Sequence, residues 1–234
     1  MANSYFQFKQ FVVYHDRCAM KVGTDAVLLG SWLRLDGAKR LLDIGCGSGV
    51  IALMAAQRCK GEILGVEIDC DAAAQALENM SNSPWSNRLS VMCTDIRSFY
   101  SEEKFDVIFS NPPYFINSLK SPVEKRTLAR HTDGLTFDEL MSAVSSLLSP
   151  GGEFSLIVPM NLVSAIKAAA ISYLLYLSRE TIVYTKSGVS PKRAMLAFRN
   201  VLENVQVETE ELVLEQSLGI KSDTYLQMTK DFYL

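Results

Sequence analysis

The sequence has little of what would place it in several common classes. Its two histidines, His15 and His131, stand far apart, and none of its five cysteines (Cys18, Cys46, Cys59, Cys70 and Cys93) forms a C-x-x-C pair. Neither a zinc cluster nor a disulfide framework is suggested, no metal is expected, and scattered thiols fit a reducing compartment. Long apolar runs are missing too. Residues 156–177 come nearest, but Pro159, Asn161 and Lys167 interrupt them, whereas a membrane span needs ~20 apolar residues. The first residues, MANSYFQFKQF, hold no apolar signal-peptide core. A soluble cytoplasmic protein with no membrane partner is therefore expected. With 13 Gly and 7 Pro in 234 residues, collagen-like and low-complexity chains are excluded. A formal net charge of −3 excludes a global basic field that would draw in nucleic acid.

What is present is an ordinary globular composition, 48% hydrophobic and 21% charged, enough to bury one sizeable core. The charge is uneven. Residues 1–40 carry six Lys or Arg against three Asp, and residues 117–131 carry four against Glu124 alone. Residues 203–215 hold five Glu and no Lys or Arg. A basic face and an acidic back can still bind phosphates locally, provided the basic segments meet at one mouth.

Along the chain, residues 5–14 alternate aromatic and polar side chains, as a strand or hairpin arm does. Thr24-Asp25 start a helix through AVLLGSWL. Strands are then expected at 40–45, 62–68, 88–93, 105–110 and 153–158. Helices are expected after Gly49, over 71–80, after a Thr136 cap and over 161–176. Strands alternating with helices imply βαβ units and a parallel sheet, with ligands outside the carboxyl ends of the strands. Strand-like runs at 180–185, 193–200 and 205–214 suggest an antiparallel C-terminal hairpin at one sheet edge. The expected fold is α/β and Rossmann-like. Residues 1–35 form an arm and capping helix, and residues 36–234 one compact unit.

The first chemical motif, residues 43–49, reads DIGCGSG between a strand and a helix. Glycines there let the backbone turn sharply and approach a ligand. The spacing is G-x-G-x-G rather than the pyrophosphate fingerprint, and the lysine of a phosphate loop is missing. Asp43 stands before the turn, where a carboxylate can face a cationic ligand or orient the turn through water. Glu67 ends the next strand, 22 residues past Gly45, where an acidic side chain accepts from ribose hydroxyls. Asp95 follows the third strand at the height of an adenine amino group. Three acids at successive strand ends without a phosphate-binding cation suit a ligand with ribose and adenine but no phosphate. S-adenosylmethionine is such a ligand.

The second motif, Asn111-Pro112-Pro113-Tyr114, follows the fourth strand. Two prolines lock the backbone and remove two N–H donors. The Asn111 side-chain oxygen and the Pro112 carbonyl can accept both hydrogens of a planar NH₂ group, and Tyr114 offers a face for a base worth ~1–3 kcal/mol. An adenine 6-amino group is a poor nucleophile because its lone pair is delocalised; two acceptors help free it. The work is orientation and electrostatics.

DIGCGSG, VEID, CTDI and NPPY, in that order, resemble the class I S-adenosylmethionine-dependent methyltransferases that act on planar amino groups. FKQFVVYHDRCAMKVGTDAVLLGSW, LARHTDGLTFDEL and PKRAMLAF are similar to the bacterial tRNA (adenine-N(6)-)methyltransferase family, which modifies adenosine 37 beside the anticodon of a valine tRNA. The resemblance implies cofactor contacts at Asp43, Gly45, Cys46, Gly47, Gly49, Glu67, Ile68, Asp95, Ile96 and Asn111. It implies a target base at Asn111, Pro112, Pro113 and Tyr114, and tRNA, through its anticodon loop, as partner. A monomer is expected. Such a base sits in a single-stranded loop and can be splayed out at lower cost than in a duplex. Lys21, Lys125, Arg126, Arg130, His131, Lys192 and Arg193 are the substrate-binding candidates, with Lys9 and Lys120 as further phosphate contacts. Three other readings share part of the pattern. A protein glutamine methyltransferase acting on a release factor uses the same motif, but a helical recognition domain usually precedes it. A nicotinamide-dependent oxidoreductase conflicts with the glycine spacing, and a non-catalytic cofactor- or RNA-binding module conflicts with an intact NPPY.

Overall fold

The computed structural model describes residues 3–112, 134–201 and 206–234. The arm expected at the N-terminus is a small antiparallel hairpin, β1 (Tyr5–Gln7) with β2 (Val12–Tyr14), in which Tyr5 faces Tyr14. Helix α1 (Thr24–Trp32) follows, with Gly23 rather than Thr24 at the cap position. Then come β3 (Arg40–Ile44), α2 (Val50–Arg58), β4 (Glu62–Glu67), α3 (Cys70–Ser81), β5 (Leu89–Cys93) and β6 (Phe105–Ser110). After them the chain forms α4 (Phe137–Leu147), β7 (Leu148–Pro159), α5 (Val163–Ser172), β8 (Tyr176–Lys186) and β9 (Arg193–Arg199). It closes with β10 (Glu208–Ser217), β11 (Ile220–Lys221) and α6 (Asp223–Thr229).

Two helix starts show why these segments fold as they do. Asp69 accepts from the Asp71 and Ala72 amides at the head of α3, and Thr136 and Glu139 form a reciprocal capping box at the head of α4. Each satisfies amide donors that a helix start leaves orphaned, worth ~1 kcal/mol.

The nine-stranded sheet has the order β11-β10-β8-β9-β7-β6-β3-β4-β5. Strands β3, β4, β5, β6 and β7 run parallel, and β9 is antiparallel to both β7 and β8. The antiparallel β8–β9 hairpin is thus present, β10 pairs parallel to β8 beyond it, and β10 and β11 form the antiparallel pair at the sheet's C-terminal edge. Apolar side chains fill both faces. One cluster joins the arm, α1, α2 and α6, and the other joins α4 and α5. Alternation along β3 sends Leu41 to the first cluster and Leu42 and Ile44 to the second, so Asp43 faces the α1–α2 side.

The chain ends clasp each other. Phe8 is fully buried, its ring stacked 4.5 Å from Phe11 and 6.2 Å from Tyr233, and the Lys9 amide donates to the Phe232 carbonyl at 2.8 Å. Burying one such phenyl ring contributes ~1.5–3 kcal/mol.

Candidate active site

Strands β3 and β6 are neighbours, yet the chain leaves them toward opposite sides of the sheet order, which makes their carboxyl ends the topological switch point. The register pairs Asp43 with Phe109 and Ile44 with Ser110. The Ser110 hydroxyl donates to the Ile44 carbonyl at 2.8 Å and locks that register. Gly45 and Asn111, the first residues beyond each strand, therefore leave the sheet side by side. Both motifs singled out in the sequence begin at this crevice.

The glycine turn hooks over β4, since the Gly45 and Cys46 amides both donate to the Val66 carbonyl, at 2.8 and 3.2 Å. Gly45 and Gly47 have φ of 69° and 52°, a left-handed conformation, and a Cβ built on either meets nothing within 4 Å among the described residues. Backbone geometry, not crowding by protein, demands glycine there, and the space beside the turn is open to a ligand. Gly49 differs: a Cβ there would sit 3.0 Å from the Met80 methyl and 3.4 Å from Ala76, so it serves the packing of α2 on α3. Cys46 is buried, and burial together with Asp43 and Glu67 pushes its thiol well above the ordinary range, so it lines the turn as an inert neutral group.

Three acids mark the ends of β3, β4 and β5, in three electrostatic settings. Asp43 is 1% exposed, and among the described residues neither carboxyl oxygen has a hydrogen-bond partner of good geometry. Burial raises its pKa to about 8, against a smaller lowering by the Ala52 amide and with a further push from Glu67. Glu67 is held by backbone. It accepts from Gly47 at 2.9 Å on one oxygen, and from Ile68 at 2.9 Å and Asp69 at 3.0 Å on the other. Asp95 is clamped by Arg97, whose Nε lies 2.9 and 3.1 Å from its two oxygens and whose Nη2 lies at 2.6 Å. That hydrogen-bonded pairing holds the Asp95 carboxyl below the usual range. Ile96 beside it is buried, while Ile68 is 53% exposed at the end of β4, an apolar face turned to solvent.

On the target side, Asn111 is half-buried and Pro112 buried. Pro113, Tyr114, Lys120, Lys125, Arg126, Arg130 and His131 lie outside the described residues. Of the other basic candidates, Lys21 is exposed just before α1, and Lys192 and Arg193 stand where β9 begins beside the carboxyl end of β7. The Arg193 Nε donates to Asp25 in the first turn of α1 at 2.7 Å, which draws these two basic segments together. Lys9 is elsewhere: its ammonium donates to the Lys230 carbonyl at the end of α6.

One expectation is corrected. Cys70 and Cys93 form a disulfide, with Cα atoms 5.4 Å apart and a sequence separation of 23. The spacing is not a motif. The register makes the pair, because Glu67 lies opposite Cys93 and Cys70 follows three residues later at the head of α3. Cys18, Cys46 and Cys59 are free. Sequence reasoning also missed Gln75 and Asn79, two buried amides one turn apart on α3. Their signal was present as polar residues on an otherwise alanine-rich face.

Strand order, glycine turn and acidic strand ends together define a class I methyltransferase fold. The methyltransferase small domain family matches residues 18–167. Full-length relatives named tRNA1(Val) (adenine(37)-N6)-methyltransferase include that of Phocaeicola vulgatus, 50% identical over 100% of this chain and 99% of its own. That of Aeromonas hydrophila is 45% identical over 99% and 98%. Among solved structures, a predicted O-methyltransferase from Agrobacterium tumefaciens superposes with a TM-score of 0.69 at 22% identity, covering 89% of this chain and 96% of that one. The N-methyltransferase NodS from Bradyrhizobium japonicum gives 0.52 at 18% identity, covering 74% and 92%. The chain belongs to the methyltransferase small domain family and, within it, to the tRNA1(Val) (adenine(37)-N6)-methyltransferase family.

Proposed function

We propose that the protein transfers a methyl group from S-adenosylmethionine to the exocyclic 6-amino group of an adenine in tRNA. The observation that carries this reading is the buried, unpartnered Asp43 carboxyl beneath an open glycine turn, one strand away from Asn111-Pro112. An orphaned acid in that position fits a cationic amino-acid end and would be a cost without one. Glu67, already oriented by three amides, is placed to accept from ribose hydroxyls, and Ile68, Asp95 and Ile96 to border an adenine. Gly45, Cys46, Gly47 and Gly49 supply the turn.

Bound there, S-adenosylmethionine supplies a methyl carbon activated by a positively charged sulfur. The chain's own part is to orient and to polarise. The Asn111 side-chain oxygen and the Pro112 carbonyl accept the two amino hydrogens, and Tyr114 stacks on the base. No strong general base is required at the site.

The finer assignment is adenosine 37 in the anticodon loop of a valine tRNA, bound by a monomer in the cytoplasm. The names of full-length relatives support the nucleotide and the tRNA, and the ease of splaying out a loop base supports the loop. Lys21, Lys192 and Arg193, with Lys125, Arg126, Arg130 and His131, form the RNA-binding side. Residues 1–35 serve as arm and capping helix to the methyltransferase unit at 36–234. No helix among the described residues is long and apolar enough to cross a membrane.

Labelled cofactor with bulk tRNA or with release-factor protein tests the substrate class; label is expected in tRNA, as N6-methyladenosine. The Asn111→Ala variant is expected to keep cofactor affinity within about twofold and lose about 10²–10³ in kcat. Equal loss of binding and turnover removes the role given to Asn111.

A further inference from the structure

Helix α3 carries two buried amide side chains, Gln75 and Asn79, 1% and 2% exposed, on a face otherwise built from Ala72, Ala76 and Met80. Residues four apart on a helix share a face. All polar atoms of both amides are engaged, and mainly with backbone. Asn79 Oδ1 accepts from the Tyr14 amide at 3.0 Å, and its Nδ2 donates to the Tyr14 carbonyl at 2.8 Å and the Ser48 carbonyl at 2.9 Å. Gln75 Oε1 accepts from the Arg17 amide at 2.9 Å and the Cys18 thiol at 3.3 Å, while its Nε2 donates to Asp16 at 2.8 Å. Tyr14 and Cys18 bracket the segment leaving the arm; Ser48 belongs to the glycine turn.

We infer that Gln75 and Asn79 are positioning residues that hold Tyr14–Cys18 against α3 and tie that segment to the glycine turn, making the chain that leaves the arm part of the cofactor site's wall. The inference rests on the cofactor site proposed above. The Cys18 thiol agrees with its half-buried place there: burial pushes it up to about 11, with smaller rises from the Glu67 and Asp69 carboxylates. The family match begins at Cys18, so the segment that Asn79 and Gln75 hold leads into the shared methyltransferase core from outside it. Bonds to backbone fix the course of the segment whatever side chains it carries. Removing them leaves the turn's Ser48 carbonyl and the arm without buried partners, a loss felt at the ligand rather than at the reacting atoms.

The test uses the full chain and isothermal titration with S-adenosylmethionine, alongside steady-state methylation. Gln75→Glu sets two carboxylates against each other, its own and that of Asp16. It is expected to raise both the Kd and the KM for cofactor roughly tenfold, with kcat at saturation within about twofold. Adding Asp16→Asn restores a donor–acceptor pair with its direction reversed, and the double variant is expected to return to within about threefold of the parent. Asn79→Asp keeps the acceptor and loses both donors; a rise of about thirtyfold is expected. A folded Gln75→Glu protein with parental affinity, or a double variant as weak as the single, overturns the inference. Absence of cofactor binding by the parent chain overturns the site reading beneath it instead.

Discussion

The molecule buries a carboxyl group at both ends of its sheet, and it treats the two ends differently. At the amino ends of the parallel strands, Glu153 accepts from Arg179 and Arg199, each at 3.2 Å. Arg179 also donates to the Trp32 carbonyl at 3.0 Å and lies 3.5 Å over the Trp32 ring. A recess of about 400 Å³ at that end is lined by Arg34, Glu153 and Arg199, whose charges are already spent on one another and on Glu208. At the carboxyl ends, Asp43 is as buried as Glu153 and has no such partner. A buried charge answered by its own chain is structure; one left unanswered is held for a ligand.

The sharpest way to break this contrast is Glu153→Gln. Arg179 would remain buried with its counter-charge gone, and a loss of about 3–5 kcal/mol in urea unfolding is expected with cofactor affinity unchanged. A large change in affinity with little loss of stability would make the amino end functional and erase the distinction.

The covalent tie comes next. Cys70–Cys93 joins the head of α3 to the end of β5, at the carboxyl end of the sheet. Closing a loop with 23 residues of separation is worth about 3 kcal/mol, and a matching fall in stability is expected on adding reductant or in Cys93→Ser. An unchanged unfolding midpoint would mean that sheet register alone holds the adenine side of the site.

How much of this was legible in the sequence depends on the range of the interaction. The βα alternation, the Thr136 cap and the glycine turn rest on neighbours a few residues apart, and all were readable. The end of α5 was not. The helix stops at Ser172 because Leu174 takes a left-handed φ of 57°, and no glycine announces it. The α6 helix, capped by Ser222, also went unread, since its apolar face is defined only by packing on α1, β10 and the arm. The disulfide, the parallel addition of β10 to β8, and the partners of Gln75 and Asn79 all join residues that the fold alone brings together.

Asp43→Asn sharpens the contrast from the ligand side, with a smaller effect. With a folded pKa of about 8, above the unfolded carboxyl value of 3.8, the folded chain retains a proton that the unfolded chain releases. The ligand-free protein should therefore lose stability as pH rises between those two values and level off above about 8, on the order of a few kcal/mol in all. Asp43→Asn is expected to flatten that slope while weakening S-adenosylmethionine binding about 10- to 100-fold. A pH profile unaltered by the substitution would show that Asp43 is already ionised and matched inside the chain.

The smallest effect separates charge kept for structure from charge kept for RNA. Arg193 shares its charge with Asp25, whereas Lys21 and Lys192 are both exposed. Each phosphate contact to a single strand contributes about 0.7 to the slope of log affinity against log salt. Lys192→Gln is therefore expected to lower the slope for tRNA binding by about that much and to leave cofactor affinity and stability alone. Lys9→Gln should do the opposite, because its ammonium caps the α6 carbonyl of Lys230: a slight loss of stability and an unchanged slope. If the two substitutions moved the slope equally, the field around the mouth would be diffuse, and the path of the RNA would have to run over the arm as well.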